Sequence, residues 1–244
     1  MSEVMDTPTT SSGEPLAIED EASTIQPGRA LVGGMAHPDQ SLISVHQPHA
    51  ARSEQLRALR TELMLRRDGT ERANIVTLLS AGCGEGRSQL AAELALSFAQ
   101  LGRPTLLLDT DMRHPRQHLL FGIDTRHGLS QMLAEGHPPH LYPVSGMPNL
   151  MVQPAGRPPA NPLELLSSAG FEHALGQWRR DYDFIVIDTP PLDTYADGLA
   201  VIDLVRRGLV VTRAQHTRYH DTRQMLRRLA ATRAQILGSV INHF

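Results

Sequence analysis

Three segments of this chain each join an apolar run to a chemically distinctive end, and together they restrict the fold more than any other feature. They are SAGCGEGRS at positions 80–88, LLLDTDMRHP at 106–115 and FIVIDTPP at 184–191. The first is typical of a glycine-rich loop between a strand and a helix, and the other two are typical of buried strands that end in acidic residues. Because the carboxyl ends of parallel strands meet at one edge of a sheet, the three segments predict a shared site for phosphate and magnesium.

Apolar runs alternate with helical patterns along most of the chain, which predicts a doubly wound, mainly parallel α/β sheet. Strands are expected at 73–80, 104–109, 149–154, 183–188, 208–212 and 236–241. A helix is expected from Arg52, with Ser53 as its N-terminal cap. The proline-rich stretch 137–163 is predicted to be a surface excursion around a single strand. The sequence therefore predicts one domain over residues 49–244.

Residues 1–48 differ from the rest of the chain in composition. They contain seven acidic residues and one arginine, and they show no sustained hydrophobic period. Such a segment buries too little apolar surface to offset the entropy lost on ordering. We therefore expect a disordered acidic tail over residues 1–48.

The charge balance and the hydropathy exclude two classes of partner. A formal net charge of -3 lacks the basic surface that binding to nucleic acid requires. No apolar run approaches the roughly 20 residues of a membrane-spanning helix, so direct membrane insertion is not expected. A cytoplasmic location follows as the prediction. The single cysteine, Cys83, leaves no internal disulfide.

The glycine-rich loop is the main candidate for phosphate binding. Glycines let backbone amides approach phosphate oxygens, and the N-terminus of the following helix adds a positive potential. The candidate ligand-binding residues are Gly82, Cys83, Gly84, Glu85, Gly86, Arg87, Ser88 and Gln89. Arg87 stands where such loops carry lysine, and the sequence contains no lysine at all. Taken alone, the same residues also fit an ordinary tight turn between a strand and a helix.

Acidic residues follow two of the predicted strands, with Asp109 and Asp111 after one and Asp188 at the end of the other. Carboxylates that are brought together repel one another unless a cation lies between them, and oxygen ligands suit Mg²⁺. The alternative is that each aspartate caps the next helix. Their combination with a phosphate loop favours a nucleotide site, with ATP and Mg²⁺ as the predicted cofactors.

The combination of these segments resembles the bacterial tyrosine kinase (BY-kinase) family, the kinases of capsule and exopolysaccharide chain-length control. The resemblance covers about residues 45–244 and includes SEQLRALRTEL, HGLSQML, NPLELLSS and ILGSVIN in the same order. It implies an ATP-dependent protein tyrosine kinase that regulates polysaccharide polymerisation and export. The resemblance implies the P-loop NTPase fold. The related MinD/ParA-like partitioning and division ATPases share this fold, but they place an extra lysine where this chain has Gly82.

The resemblance also implies roles for individual residues. Phosphate contact is implied for Arg87, and help in deprotonating an acceptor tyrosine is implied for Asp109 with Asp111. The implied metal-binding residues are Ser88, Asp109 and Asp188, and the implied catalytic residues are Arg87, Asp109, Asp111 and Asp188. Asn242 matches an asparagine that contacts adenine in related ATPases, although a turn at the strand end would also explain it.

In this family a Glu-x-x-Arg-x-x-Arg helix drives ring assembly, and here the pattern reads Glu54, Arg57 and Arg60. At about 100° per residue these side chains fall within an arc of about 120°, so one charged stripe is expected to face a neighbouring subunit. The alternative is a solvated helix face with an internal ion pair. The resemblance further implies a homo-oligomer that a separate membrane adaptor, a polysaccharide co-polymerase, recruits to the inner face of the plasma membrane.

Two departures from the family pattern bear on activity. The autokinases of the family end in a tyrosine cluster, whereas the four tyrosines here are dispersed, so regulation through such a tail is not expected. Arginine at position 87 keeps the charge of lysine but presents a bulkier planar fork. Two interpretations follow: either Arg87 supports phosphoryl transfer, or the protein is a catalytically weak, nucleotide-binding assembly regulator of the same export complex.

Overall fold

A computed structural model describes residues 30–66 and 74–243 of the protein. The strands in these ranges are β1 (Leu31–Val32), β2 (Asn74–Ser80), β3 (Thr105–Asp109), β4 (His140–Val144), β5 (Met147–Gln153), β6 (Phe184–Asp188), β7 (Arg207–Arg213) and β8 (Gln235–Asn242). The helices are α1 (Ile43–His46), α2 (Ala51–Leu65), α3 (Arg87–Ala99), α4 (Gln117–Leu120), α5 (Leu129–Glu135), α6 (Pro162–Leu166), α7 (Ala169–Asp181), α8 (Asp197–Val205) and α9 (Tyr219–Leu229).

Within the described ranges the strands form one sheet in the order β1-β4-β5-β3-β6-β2-β7-β8. All neighbouring pairs are parallel except β4 with β5, which is antiparallel. The six neighbouring strands β5, β3, β6, β2, β7 and β8 therefore run in one direction, with crossover helices on both faces of the sheet. The predicted doubly wound, mainly parallel α/β fold is confirmed.

The three central strands explain why the sequence shows continuous apolar runs. Every residue of β2, β3 and β6 is buried, because helices cover both faces of the sheet. Successive side chains alternate between the faces: Val76 and Val186 belong to the core that includes α3, and Ile75 and Ile185 belong to the core that includes α7. This packing places the carboxyl ends of the three strands side by side.

The proline-rich stretch contains one strand more than the sequence predicts. β4 and β5 form an antiparallel hairpin in which Tyr142 is paired with Val152. The prediction of a surface excursion around a single strand was therefore wrong for residues 140–144. Pro143 argues against a strand at β4 when only the sequence is considered, since proline is usually confined to sheet edges and bulges. The register of the hairpin shifts beside this residue.

The structure also differs from the expected tail over residues 30–48, whereas residues 1–29 lie outside the described part of the chain. β1 pairs with β4, and α1 follows shortly after it. The side chains of Ala36 and Leu42 are fully buried in the core. Gln89 of α3 donates a hydrogen bond to the carbonyl oxygen of Ser41 at 2.6 Å. This segment is therefore packed against the domain.

The first predicted helix is present as α2, but its cap differs from the prediction. The N-terminal flanking residue is Ala50, and Ser53 lies inside the helix. The hydroxyl of Ser53 is buried and donates to the carbonyl oxygen of Gln47 at 2.8 Å. Ser53 therefore joins α2 to the segment before it and does not cap the helix.

Candidate nucleotide-binding site

The glycine-rich loop lies between β2 and α3, as the sequence predicts. Gly84 and Gly86 have φ values of 73° and 81°, in the left-handed region that side chains disfavour. Gly86 directly precedes the first turn of α3, so the loop ends at the positive end of that helix. The local geometry is the one that lets backbone amides surround an anion.

Side chains from the far end of the sequence hold this loop. The amide nitrogen Nδ2 of Asn242 donates to the carbonyl oxygen of Glu85 at 2.7 Å. Arg213 donates to the carbonyl oxygen of Gly84 at 3.2 Å, and Nε2 of His216 lies 3.2 Å from the carbonyl oxygen of Cys83. Three consecutive carbonyls of the loop therefore contact the end of β8, the end of β7 and the segment that follows β7, which fixes the course of the loop backbone.

Glu85 closes the loop from within. Its buried carboxylate accepts a hydrogen bond from the backbone nitrogen of Gly82 at 3.2 Å. Burial raises the pKa of Glu85 above its ordinary value. Glu85 therefore has a structural role in the loop, in addition to the contact with ligand that the sequence predicts.

A cavity of about 450 Å³ opens in front of the loop. Its lining residues are Gly82, Cys83, Gly84, Glu85, Gly86, Arg87, Ser88, Gln89, Asp111, His114, Arg116, Leu120, Pro191 and Arg213. All eight residues predicted from the loop are thus among the lining residues. The volume is within the range of small-molecule sites.

The three predicted aspartates lie close together at this edge of the sheet. β3 and β6 are neighbours, and Asp109 is paired in register with Asp188. Asp188 is fully buried, and Asp111 is 2% exposed and lines the cavity. Burial raises the pKa of Asp111 above its ordinary value.

Asp109 is turned away from the cavity and engages backbone amides. Its Oδ1 accepts from the backbone nitrogen of Asp111 at 3.0 Å, and its Oδ2 accepts from that of Gln117 at 3.1 Å. Burial, together with the nearby carboxylates of Asp188 and Asp111, raises the pKa of Asp109. This geometry agrees with the capping interpretation of Asp109, because Gln117 is the first residue of α4.

Arg87 turns towards the aspartates. Its Nε donates to Oδ1 of Asp188 at 3.0 Å, and its Nη2 donates to Oδ2 of Asp111 at 3.2 Å. Its Nη1 donates to the hydroxyl of Ser80 at 2.6 Å. The guanidinium is thus a bridge between two carboxylates, an arrangement that depends on its planar fork.

Gln117 is a site residue that sequence reasoning missed. Its Nε2 donates to Oδ2 of Asp188 at 2.8 Å and to the carbonyl oxygen of Ser88 at 2.9 Å. It thereby links the end of β6 to the start of α3. Its position two residues after the HP dipeptide carries no signal by itself, because the link forms only when the sheet brings the two segments together.

Arg116 and His114 also line the cavity and were not predicted. Among the described residues no ion pair or hydrogen bond engages the guanidinium of Arg116, which is exposed. The signal that could have found it is its place just beyond the acidic strand end, where residues face the ligand crevice of a parallel sheet.

The three residues predicted to form an assembly stripe on α2 do not share one environment. Arg57 pairs with Glu54 at 2.6 Å on the exposed side of the helix. Arg60 turns towards α3, and its Nη1 donates to the carbonyl oxygen of Ser97 at 2.6 Å. The expectation of one free charged stripe therefore does not hold for Arg60, because this side chain joins two helices of the same chain.

No group of three or more histidine, cysteine or acidic side chains in residues 30–66 and 74–243 is arranged to hold a metal ion without rearrangement. Carboxylates and the hydroxyl of Ser88 are nevertheless the oxygen ligands that suit Mg²⁺. None of the helices that the structure describes has the length and apolar character needed to cross a bilayer.

Comparison with known proteins assigns the chain to a family. Residues 71–243 match the ParA family model, described as NUBPL iron-transfer P-loop NTPase. The tyrosine-protein kinase YwqD of Bacillus subtilis is 30% identical over 205 residues, which cover 83% of this chain and 86% of that protein.

Solved structures agree. The kinase domain of the Escherichia coli tyrosine kinase ETK has a TM-score of 0.78 at 28% identity, with 83% of this chain and 79% of that chain covered. The chimerical protein CapA2B2 has a TM-score of 0.77 at 30% identity, with 87% and 93% covered. By sequence and by fold, this chain belongs to the bacterial tyrosine-protein kinases, within the ParA-like P-loop NTPases.

Proposed function

We propose that the protein is an ATP-dependent protein tyrosine kinase that regulates the polymerisation and export of exopolysaccharide or capsule. The observation that carries this proposal is the cavity. The glycine-rich loop and Asp111 line it, and it opens at the carboxyl ends of the buried central strands. The likeness to tyrosine-protein kinases along most of the chain supports the same activity.

The loop amides and the N-terminus of α3 bind the phosphates of ATP, and the exposed guanidinium of Arg116 adds a cation to the lining of the cavity. Ser88 and Asp188 are the proposed ligands of Mg²⁺, which would neutralise charge on the transferred phosphoryl group. Asp109 positions this edge by capping α4 and does not itself contact the ligand.

Asp111 is the proposed base. Its raised pKa makes the carboxylate a better proton acceptor near neutral pH than an exposed aspartate. The tyrosine oxygen attacks the γ-phosphorus, and the bond between that phosphorus and the β–γ bridging oxygen breaks. The phenolic proton passes to Asp111, and the products are phosphotyrosine and ADP.

Asn242 is proposed to serve both the loop and the adenine. Its Nδ2 is already bound to the carbonyl oxygen of Glu85, which leaves Oδ1 as an acceptor for the amino group of adenine. This placement at the end of β8 is compatible with the adenine contact that the family resemblance implies.

The proposed partners are a membrane adaptor and further copies of the chain. The family resemblance supports the adaptor, and the structural neighbour CapA2B2 is a chimerical protein by its name. On α2, the Glu54–Arg57 pair is the part of the predicted stripe that a neighbouring subunit can reach. The proposed location is the inner face of the plasma membrane.

A second candidate is a nucleotide-dependent assembly regulator without kinase activity, and Arg87 favours it because the loop lacks its usual lysine. A third is an ATPase of the MinD/ParA type, which the family model favours.

One assay separates the three functions. The full chain is incubated with ATP labelled on the γ-phosphate and a tyrosine-containing copolymer, beside Asp111→Asn and the control Asp203→Asn, an exposed residue of α8. Label on tyrosine that is lost only in Asp111→Asn supports the kinase. ADP release without labelled tyrosine favours the ATPase, and nucleotide binding without either product favours the regulator.

A further inference from the structure

The guanidinium of Arg87 lies between two buried carboxylates. Arg87 is 7% exposed, Asp111 is 2% exposed and Asp188 is fully buried. The ion-pair distances are 3.2 Å to Asp111 and 3.0 Å to Asp188. Carboxylates at this depth repel each other and are poorly solvated, so a positive charge between them stabilises both.

The remaining oxygens of the same carboxylates are also engaged. Oδ2 of Asp188 accepts from Gln117 at 2.8 Å. Oδ1 of Asp111 accepts from the backbone nitrogens of Arg113 and His114 at 3.2 and 2.9 Å. Each oxygen of the two carboxylates therefore has a donor within the protein, and Arg87 supplies the only positively charged side chain among these described donors.

A divalent cation would need the oxygens that Arg87 now binds. Mg²⁺ requires a near-octahedral set of oxygen ligands at short distances and gives up its water reluctantly. The guanidinium is fixed by a third bond, from Nη1 to the hydroxyl of Ser80 at 2.6 Å. A lysine ammonium has no planar fork with which to bridge two carboxylates in this way. The arrangement is thus specific to arginine at position 87.

We propose that Arg87 is the resident counter-cation of Asp111 and Asp188, and that it excludes Mg²⁺ from these carboxylates until nucleotide phosphates draw the guanidinium away. The inference rests on the proposed nucleotide site and adds a form of regulation to it. Mg²⁺ by itself does not bind the acidic edge.

The test compares thermal unfolding of the full chain in excess EDTA and in millimolar MgCl₂ at matched ionic strength, without nucleotide. The melting temperature of the native protein is expected not to respond to MgCl₂. Arg87→Met is expected to melt about 5 to 10 °C lower in EDTA, because two buried carboxylates lose their counter-charge. MgCl₂ should restore much of this loss by binding the freed carboxylates.

The matched control is Arg103→Met. Like Arg87, Arg103 forms an ion pair, but its single partner is Asp183 and its side chain is 58% exposed. It should show no response to MgCl₂. The proposal is overturned if MgCl₂ stabilises the native protein as much as Arg87→Met, or if Arg87→Met does not respond to MgCl₂ at all.

A second variant keeps the test decisive if Arg87→Met fails to fold. Arg87→Lys retains the charge but not the fork, and Mn²⁺ serves as the probe, with free Mn²⁺ measured by electron paramagnetic resonance. Arg87→Lys is expected to bind Mn²⁺ at least about tenfold more tightly than the native protein. Equal Mn²⁺ affinity of the two proteins would contradict the proposal.

Titration with a fluorescent ATP analogue in MgCl₂ separates this inference from the proposed function. If the native protein binds the analogue but the metal experiments fail, the nucleotide site stands and the role of Arg87 is wrong. If neither the native protein nor any variant binds the analogue, the proposed function itself fails.

Discussion

Nε of Arg87 lies 3.0 Å from Oδ1 of Asp188, with the arginine 7% exposed and the aspartate fully buried. The first residue of α3 is thereby joined to the last residue of β6, across the edge of the sheet where the ligand cavity opens. Because Asp111 shares the same guanidinium, the group has two carboxylates for one cation.

This imbalance predicts an order of stabilities. Arg87→Met leaves two buried carboxylates without a counter-charge, so we expect a loss of about 3 to 5 kcal/mol in the free energy of unfolding. Asp188→Asn leaves the guanidinium with Asp111 as a partner, so a smaller loss of about 1 to 3 kcal/mol is expected. Urea unfolding in EDTA measures both values. A larger loss for Asp188→Asn than for Arg87→Met would show that the charges are not balanced as described.

Gly128, which is not among the residues that line the cavity, is predicted to be intolerant of substitution. A Cβ atom at Gly128 would overlap the backbone nitrogen and Cα of Gly156. Gly128→Ala should therefore cost about 2 to 4 kcal/mol, or prevent folding, since backbone atoms cannot move aside cheaply. Gly176→Ala is the matched control: this glycine lies in α7 with no atom within 4 Å of the added carbon.

The control has its own expected sign. Alanine has a higher helix propensity than glycine, so Gly176→Ala should raise the free energy of unfolding by about 0.5 to 1 kcal/mol. Both variants are measured by urea unfolding. Similar stability of Gly128→Ala and Gly176→Ala would rule out the close approach of the two chain segments at Gly128.

His118 predicts a pH dependence of stability. Burial, and to a lesser degree the charge of Arg116, lowers the pKa of His118 below 6.5. The unfolded chain then binds the proton more readily, so stability rises as pH increases from below the folded pKa to about 6.5 and gains nothing further from this residue above that value. The melting temperature of His118→Gln should rise less over this interval than that of the native protein. Parallel pH profiles would contradict the prediction.

Arg116 is predicted to affect binding without affecting stability. Its guanidinium is exposed in the cavity, so Arg116→Ala should weaken ATP binding about 5- to 10-fold through the loss of a charge-assisted phosphate contact. The control is Arg126→Ala, whose arginine is paired with Asp124 at the surface. Calorimetric titration measures both. An unchanged affinity for Arg116→Ala would remove Arg116 from the site.

The sequence was sufficient for the central sheet and for the cavity wall that is continuous in the chain. β2, β3 and β6 are buried on both faces, so each appears in the sequence as a continuous apolar run. Such a run identifies the strand without knowledge of the strands that pair with it. Loop residues 82–89 are adjacent in sequence, so their placement follows once the strand and helix are known. β4 escaped prediction because its pairing with β5 compensates for Pro143 only in the folded sheet.

Side-chain direction was the part that the sequence could not provide. Asp109 and Asp111 are two residues apart, yet one receives backbone hydrogen bonds around α4 and the other lines the cavity. The direction of Arg87 depends on carboxylates that lie 24 and 101 residues further along the chain. Such choices are set by three-dimensional proximity, which no local pattern encodes.

Substitution of Asn242 tests whether this residue only holds the loop or also binds the adenine of ATP. If Nδ2 only holds Glu85, Asn242→Ala should weaken ATP and GTP binding to the same extent, because the loop carries the phosphates of both nucleotides. If Oδ1 also accepts from the adenine amino group, ATP binding should weaken more. We expect the second result, with about a tenfold loss for ATP and a smaller loss for GTP.

The measurement is calorimetric titration with each nucleotide, beside His216→Ala as the matched control. His216 also contacts a loop carbonyl, that of Cys83, but it is exposed. The His216→Ala substitution should therefore reduce the affinities for ATP and GTP equally and only slightly. An equal loss for both nucleotides in Asn242→Ala would restrict Asn242 to holding the loop, and base recognition would then have to come from another part of the chain.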